Sequence, residues 1–289
     1  MRSEKEMFGL ILDMAENDER VRAVVLSGSR ANLQAERDPF QDYDLLFVVT
    51  DVDAFVRDRG WIEHFGEIMI MQTPEENDEP PPFNDGRYIY LMQFADGNRI
   101  DLHFFPVTKI KELPRESMSK LLLDKDSLFE PFPPPDETDY LPAPPGEKQF
   151  TGCCNQFWWV NTYVAKGLWR DELPYMKKLL DGVVRDELMK MLTWHIGIKT
   201  GFTISPGQFG RHLEKYLEPE LWSSYVQTYA GADPEDIWRA LFTMGDLFRR
   251  TAREVAEHFG YGYPEGDDQR VTAHLKHIKT LPKNAREMY

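Results

Sequence analysis

Leu26-Ser27-Gly28-Ser29-Arg30 closes one apolar run, and Asp42-Tyr43-Asp44-Leu45-Leu46-Phe47-Val48-Val49 opens the next. Together they read as a turn able to hold phosphate beside two carboxylates able to hold a metal ion. Side chains alternate faces along a strand, so Asp42 and Asp44 share one face while Tyr43 takes the other. Two carboxylates about 5 Å apart repel by roughly 3 kcal/mol at an effective dielectric near 20, and a divalent cation removes that cost. A third carboxylate on a neighbouring strand would complete an oxygen-rich site of the kind Mg²⁺ uses with substrate phosphates. Asp101 is the candidate, because in the alternating run Arg99-Ile100-Asp101-Leu102-His103-Phe104-Phe105 it shares a face with His103 and Phe105. An Asp-x-Asp pair alone also serves strand starts and turn caps. Joined to the Gly-Ser turn and the Asp101 strand, it points to metal-assisted phosphate chemistry.

Around this pair the elements follow from periodicity. Met7, Leu10, Ile11 and Met14 recur at helical spacing, and Val21 to Ser27 forms a short buried strand. Gly28 permits close backbone approach, the turn after it can present amide N–H groups to an anion, and Arg30 can add a charge-assisted contact. Asp53 is expected to cap a helical stretch carrying Phe55, Val56, Ile62 and Phe65. Ile68 to Gln72 is a third strand, Pro74 to Phe83 a loop, and Tyr88 to Phe94 and Asn98 to Phe105 a hairpin turning at Asp96-Gly97.

Residues 131–146 hold seven prolines, which suits an extended linker. Beyond it the pattern turns helical over Phe150–Lys166, Pro174–Lys199, Ser205–Leu217, Pro219–Tyr229 and Pro234–Phe259, with Pro174, Pro219 and Pro234 at first-turn positions. The expected fold class is therefore α+β. Residues 1–130 form a mixed five-stranded sheet with flanking helices, and residues 147–289 a helical bundle.

Forty-nine acidic against 34 basic residues give a formal charge of −15, which disfavours nucleic acid and favours a cationic small molecule, while serving solubility equally well. No apolar run reaches the roughly 20 residues of a membrane span and no signal peptide opens the chain, so a cytoplasmic location is expected. Cys153 and Cys154 are adjacent, read as buried thiols in a reducing compartment, and belong to no zinc motif.

The Gly28-Ser29 turn, Asp42-x-Asp44 and the Asp101 strand resemble the DNA polymerase beta-like nucleotidyltransferase superfamily. More closely, Gly28-Ser29-Arg30-Ala31-Asn32, Phe40-Gln41-Asp42-Tyr43-Asp44, Asn98-Arg99-Ile100-Asp101-Leu102, Cys154-Asn155-Gln156-Phe157-Trp158-Trp159-Val160, Tyr163-Val164-Ala165-Lys166-Gly167-Leu168 and Trp194-His195-Ile196-Gly197-Ile198-Lys199 resemble the aminoglycoside 6-adenylyltransferases. The helical segments specify the subfamily. The resemblance implies Mg²⁺-dependent transfer of AMP from ATP to a hydroxyl of streptomycin, with the 6-hydroxyl as acceptor and pyrophosphate released.

It further implies that Asp42 and Asp44 are metal ligands and that Asp101 is the third carboxylate, as general base, metal ligand or both. Ser27, Gly28, Ser29 and Arg30 would face the β- and γ-phosphates. Lys199, ahead of Lys177 and Lys178, would close over the triphosphate from the helical domain. Trp158, Trp159, Asp171, Glu172 and Asp181 would wall the pocket for the polycationic antibiotic, with His195 structural. A monomer is expected. The alternatives are the same chemistry on another aminocyclitol, or a non-catalytic nucleotidyltransferase-fold module of the toxin-antitoxin kind.

Overall fold

The computed structural model describes residues 1–32, 37–77, 81 and 83–289; part of the expected 74–83 loop, residues 78–80 and 82, lies outside them. The chain divides into two compact units, Met1–Asp139 and Tyr140–Tyr289.

In the first unit, α1 (Glu4–Asn17) starts at Ser3, whose hydroxyl accepts the Glu6 amide while the Glu6 carboxylate accepts the Ser3 amide. This reciprocal cap satisfies two donors that a helix start leaves open. Met7, Ile11, Met14 and Ala15 bury the inner stripe. A six-stranded sheet follows: β1 (Val21–Ser27), β2 (Tyr43–Val49), β3 (Ile68–Gln72), β4 (Tyr88–Phe94), β5 (Arg99–Pro106) and β6 (Ser119–Asp124), in spatial order β3-β4-β5-β2-β1-β6. Only the central pair β2 and β5 runs parallel, so the sheet is mixed. Tyr43, Leu45 and Phe47 of β2 and Ile100, Leu102 and Phe104 of β5 face the core shared with α1. The intervening residues, the aspartates among them, take the other face.

Two expectations are corrected here. The sixth strand, β6, escapes a period-two reading because Leu121, Leu122 and Leu123 are contiguous, and its strand character comes from antiparallel pairing with β1. The helix cap is Asp51, whose side chain accepts the Ala54 amide, and α2 spans only Val52–Arg57 before a separate 3₁₀ stretch at Gly60–Phe65.

The second unit is helical: α3 (Glu147–Trp169), α4 (Leu173–Lys178), α5 (Arg185–Thr200), α6 (Leu213–Tyr216), α7 (Pro219–Val226), α8 (Pro234–Phe259) and α9 (Glu265–Thr280). The path expected as one helix over Pro174–Lys199 is interrupted by a π turn at Leu179–Val184. The helix expected over Ser205–Leu217 is reduced to a 3₁₀ turn at Gln208–Gly210 and the short α6. Gly207 sits there at φ +76°, where an added Cβ would stand 2.7 Å from the His212 ring. The chain turns instead of coiling. Helix α9, absent from the sequence reading, carries few apolar residues and anchors through buried Leu275 and Ile278. The core is built on Phe157 of α3 stacked at 3.8 Å on Phe248 of α8.

Candidate active site

The register of three strands assembles the site in the first unit. Ser27 at the end of β1 lies opposite Asp44 on β2, and Asp44 lies opposite Asp101 on β5. Residues opposite one another on neighbouring strands share a face, so Ser27, Asp44 and Asp101 form one row, and Asp42 precedes β2 by one residue. One carboxylate oxygen from each of Asp42, Asp44 and Asp101 falls within 4.8 Å of the other two, and all three residues are partly buried.

Close approach is secured by Gly28, which sits at φ +70°; a Cβ there would stand 2.2 Å from Asp44 Oδ2. No other residue leaves that space. Asp42 is held from behind by Arg30. Its Nε donates to the Asp42 carbonyl at 2.9 Å, Nη2 donates to the Gln41 carbonyl at 2.7 Å, and its guanidinium lies 3.9 Å from the Tyr43 ring centre. Arg30 is buried and braces the loop entering β2. The Gly28 amide donates to the Met118 carbonyl at 3.1 Å, which ties the turn to the segment leading into β6.

The electrostatics are those of a site short of positive charge. Burial, then Asp42 and Asp101, push the Asp44 carboxyl up to about 7. The nearest compensating cation is Arg99, a residue that motif spacing did not single out. Its Nε and Nη2 donate to the two oxygens of Asp101 at 2.8 and 2.7 Å, and Nε lies 3.9 Å from Asp42 Oδ2. Its position two residues before Asp101, on the same strand face, is the sequence signal that could have found it. One rung further along, His103 lies opposite Leu46 and Ile89. Burial, then the Arg87 charge, lowers its imidazole to about 4, so it is neutral near pH 7. Three convergent carboxylates, one of them holding its proton unusually tightly, form a hard, all-oxygen donor set that fits a Mg²⁺-class ion.

The remaining predicted residues lie in the second unit. Trp158 is buried, edge-on to the stacked Phe157 and Phe248, and its indole N–H donates to the Tyr263 hydroxyl at 3.2 Å. Trp159 is exposed and donates to the Tyr163 hydroxyl at 2.8 Å. Asp171 pairs with Lys283 at 2.6 Å, and Glu172 lies 4.0 Å from Arg170. Asp181, inside the π turn, is flanked by Lys177 at 2.7 Å and Arg185 at 3.2 Å. Lys199 sits 3.1 Å from Glu254 and 3.7 Å from Glu218, beside the buried His195. Cys153 and Cys154 are free and buried, and burial pushes the Cys154 thiol up to about 12, which keeps it unreactive. Among the described residues no helix is long and apolar enough to cross a membrane.

A family model described as streptomycin adenylyltransferase matches residues 1–278. An aminoglycoside 6-adenylyltransferase of Bacillus subtilis is 38% identical over 270 residues, covering 93% of this chain and 95% of the relative. One from Campylobacter jejuni is 40% identical over 270 residues, covering 93% of each. A crystal structure of an aminoglycoside 6-adenyltransferase from Bacillus subtilis is 34% identical, covers 97% of this chain and 100% of that one, and superposes with a TM-score of 0.48.

Proposed function

The chain belongs to the streptomycin adenylyltransferase family, and from that premise we propose that it transfers AMP from ATP to a hydroxyl of an aminoglycoside, with the 6-hydroxyl of streptomycin as acceptor. The observation that carries the reading is the convergence of Asp42, Asp44 and Asp101 beside the Gly28 turn. A regulatory module would have no use for three carboxylates kept at the cost of their mutual repulsion.

In this reading Asp42, Asp44 and Asp101 would hold Mg²⁺, which would neutralise charge on the triphosphate. Asp101 accepts the proton of the acceptor hydroxyl as its oxygen bonds to the α-phosphorus. The bond from that phosphorus to the bridging oxygen breaks, and pyrophosphate leaves with its electron pair. Ser27 and Ser29 flank the phosphates. Arg30 supports them through the Asp42 loop. Lys199, now paired with Glu254 and Glu218, is the cation this reading assigns to the triphosphate. Trp159, Asp171, Glu172 and Asp181 are exposed and have the chemistry for a polycationic acceptor, although Asp171 and Asp181 are already paired with cations; the buried Trp158 would serve it only by leaving the core. The formal charge of −15 favours a cationic acceptor. The enzyme would act as a monomer in the cytoplasm, where ATP is available and both thiols stay reduced.

The test is mass spectrometry of streptomycin after incubation with the protein, ATP and Mg²⁺. The expected result is a mass gain of one AMP moiety, with NMR placing it on the 6-hydroxyl. An unchanged antibiotic in the presence of folded, ATP-binding protein would overturn streptomycin as the acceptor, and a panel of other aminocyclitols would then decide the class.

A further inference from the structure

The strongest unassigned feature is the guanidinium that stands where a metal ion's charge would be needed. Arg99 engages both oxygens of Asp101 through two parallel bonds of 2.8 and 2.7 Å and reaches to 3.9 Å from Asp42. The Asp101 side chain is 13% exposed and that of Arg99 is 44% exposed. Arg99 therefore lies over the carboxylate from the solvent side, with an unbranched stem free to swing. Arg30, by contrast, is buried, with Nε and Nη2 on backbone carbonyls and Nη1 3.5 Å from Glu4 Oε1 of α1, and cannot change partners without unpacking the loop.

We propose that Arg99 is an exchangeable counter-cation: it clasps Asp101 while the site holds no metal, yields that carboxylate when a divalent ion arrives, and then binds a phosphate of the nucleotide. The inference rests on the metal reading of the triad. The chemistry follows from the fork of the guanidinium, which fits carboxylate and phosphate equally well. A divalent ion and a guanidinium on the same carboxylate repel, so occupation of Asp101 by one weakens the hold of the other. ATP brings phosphate oxygens to the metal, so the displaced guanidinium finds a new anion within the swing of its own side chain. The device offsets part of the acidic row's charge when the site is empty and couples metal entry to nucleotide entry, because the clasp is opened at least cost when a replacement partner arrives with the ion.

The exchange has a signature of opposite signs. Metal-free full-length protein is titrated with Mn²⁺ in the absence of nucleotide, by electron paramagnetic resonance, as wild type, Arg99→Gln and Asp42→Asn. The same proteins are titrated calorimetrically with an α,β-methylene analogue of ATP in Mg²⁺. Arg99→Gln is expected to bind Mn²⁺ at least fivefold tighter and the Mg²⁺–analogue complex at least fivefold weaker, with an unchanged circular dichroism spectrum. A purely structural arginine would weaken both. Mn²⁺ binding that is not tightened, or tightening without loss of analogue affinity, overturns the exchange. The Asp42→Asn arm separates the two levels: if it binds Mn²⁺ as well as wild type, the metal reading fails and the exchange falls with it. Loss of Mn²⁺ binding in Asp42→Asn together with unaltered affinity in Arg99→Gln removes the exchange alone.

Discussion

Asp44 and Asp268 are both aspartates drawn out of water, and their surroundings treat them in opposite ways. Asp268, on α9, is 1% exposed. Arg249 Nη2 donates to it at 2.6 Å and Arg249 Nε approaches at 2.5 Å, while the Tyr263 hydroxyl donates at 2.7 Å and the Thr272 hydroxyl at 3.1 Å. Burial alone would raise its carboxyl, but these donors outweigh it and hold it below the ordinary aspartate value. Asp44 has burial of the same sign and two carboxylates where Asp268 has donors, and its carboxyl rises to about 7. The helical unit has completed its buried charge with its own residues. The sheet unit leaves its charge incomplete, which is what a site for an external cation requires.

The contrast is broken most severely by removing the incomplete charge. Asp42→Asn and Asp44→Asn are each expected to lower adenylyl transfer by roughly a thousandfold or more, in the range of lost electrostatic stabilisation at a reacting centre, while the circular dichroism spectrum stays that of wild type. Near-normal turnover in either variant would remove the metal assignment. Asp268→Asn should do the reverse. Breaking a buried pair typically costs about 3–5 kcal/mol, read as a lower urea midpoint, because Arg249 would keep its charge without its main partner.

A pH series sharpens the same comparison. The Asp44 carboxyl moves from 3.8 in the unfolded chain to about 7 in the fold, so between those values the native state binds the extra proton. Stability from this group is therefore full below about 4 and lost as pH rises through 7. Without metal, Asp44→Asn should be the more stable protein at pH 8, by about 3 kcal/mol and at most roughly 4 at 1.36 kcal/mol per pKa unit. The advantage should vanish near pH 4. His103 acts with the opposite sign, since its imidazole is lowered from 6.5 to about 4; its stability is complete above 6.5 and declines as pH falls toward 4. The two slopes oppose one another in wild type, and Asp44→Asn exposes the His103 slope. Urea titrations in EDTA at pH 4, 5, 6, 7 and 8 measure both. A wild-type minus Asp44→Asn difference that does not change with pH would refute the placement of Asp44 among like charges.

The same contrast explains what could be read from the sequence. Asp42, Asp44 and Asp101 were legible because a strand's period of two assigns faces without reference to any partner, and the α+β division was legible from the change from alternation to helical spacing. Partner choice is different in kind. Nothing in Gly28-Ser29-Arg30 records that the arginine's donors go to the carbonyls of Gln41 and Asp42, or that the Gly28 amide goes to Met118. Nothing in the leucine run of β6 records its pairing with β1. The cap moved from Asp53 to Asp51 because either side chain suits the position and backbone geometry chose between them. Trp158 and Trp159 are adjacent and chemically alike, yet one is core and the other surface; helical periodicity separates them only once the buried stripe of α3 is known.

Arg30 supplies the smallest and most discriminating test, because it is a completed charge lying within the incomplete site. Arg30→Lys keeps the positive charge and removes the fork, so one of the two carbonyl contacts is lost and the stacking on Tyr43 is weakened. A net loss of about 1 kcal/mol in the urea midpoint is expected for one hydrogen bond to a charged donor, partly compensated by the lysine ammonium. If the arginine acts by holding the Asp42 loop, the variant should need several-fold more Mg²⁺ for half-maximal rate, while the rate at saturating Mg²⁺ recovers to within about twofold, since metal binding can restore a carboxylate that is loosened but still present. If Arg30 instead contacts phosphate directly, the KM for ATP should rise at every Mg²⁺ concentration and saturation should not restore it. The Mg²⁺ dependence of kcat and of KM therefore assigns Arg30 to one side of the comparison, as a finished part of the scaffold or as a member of the site it supports.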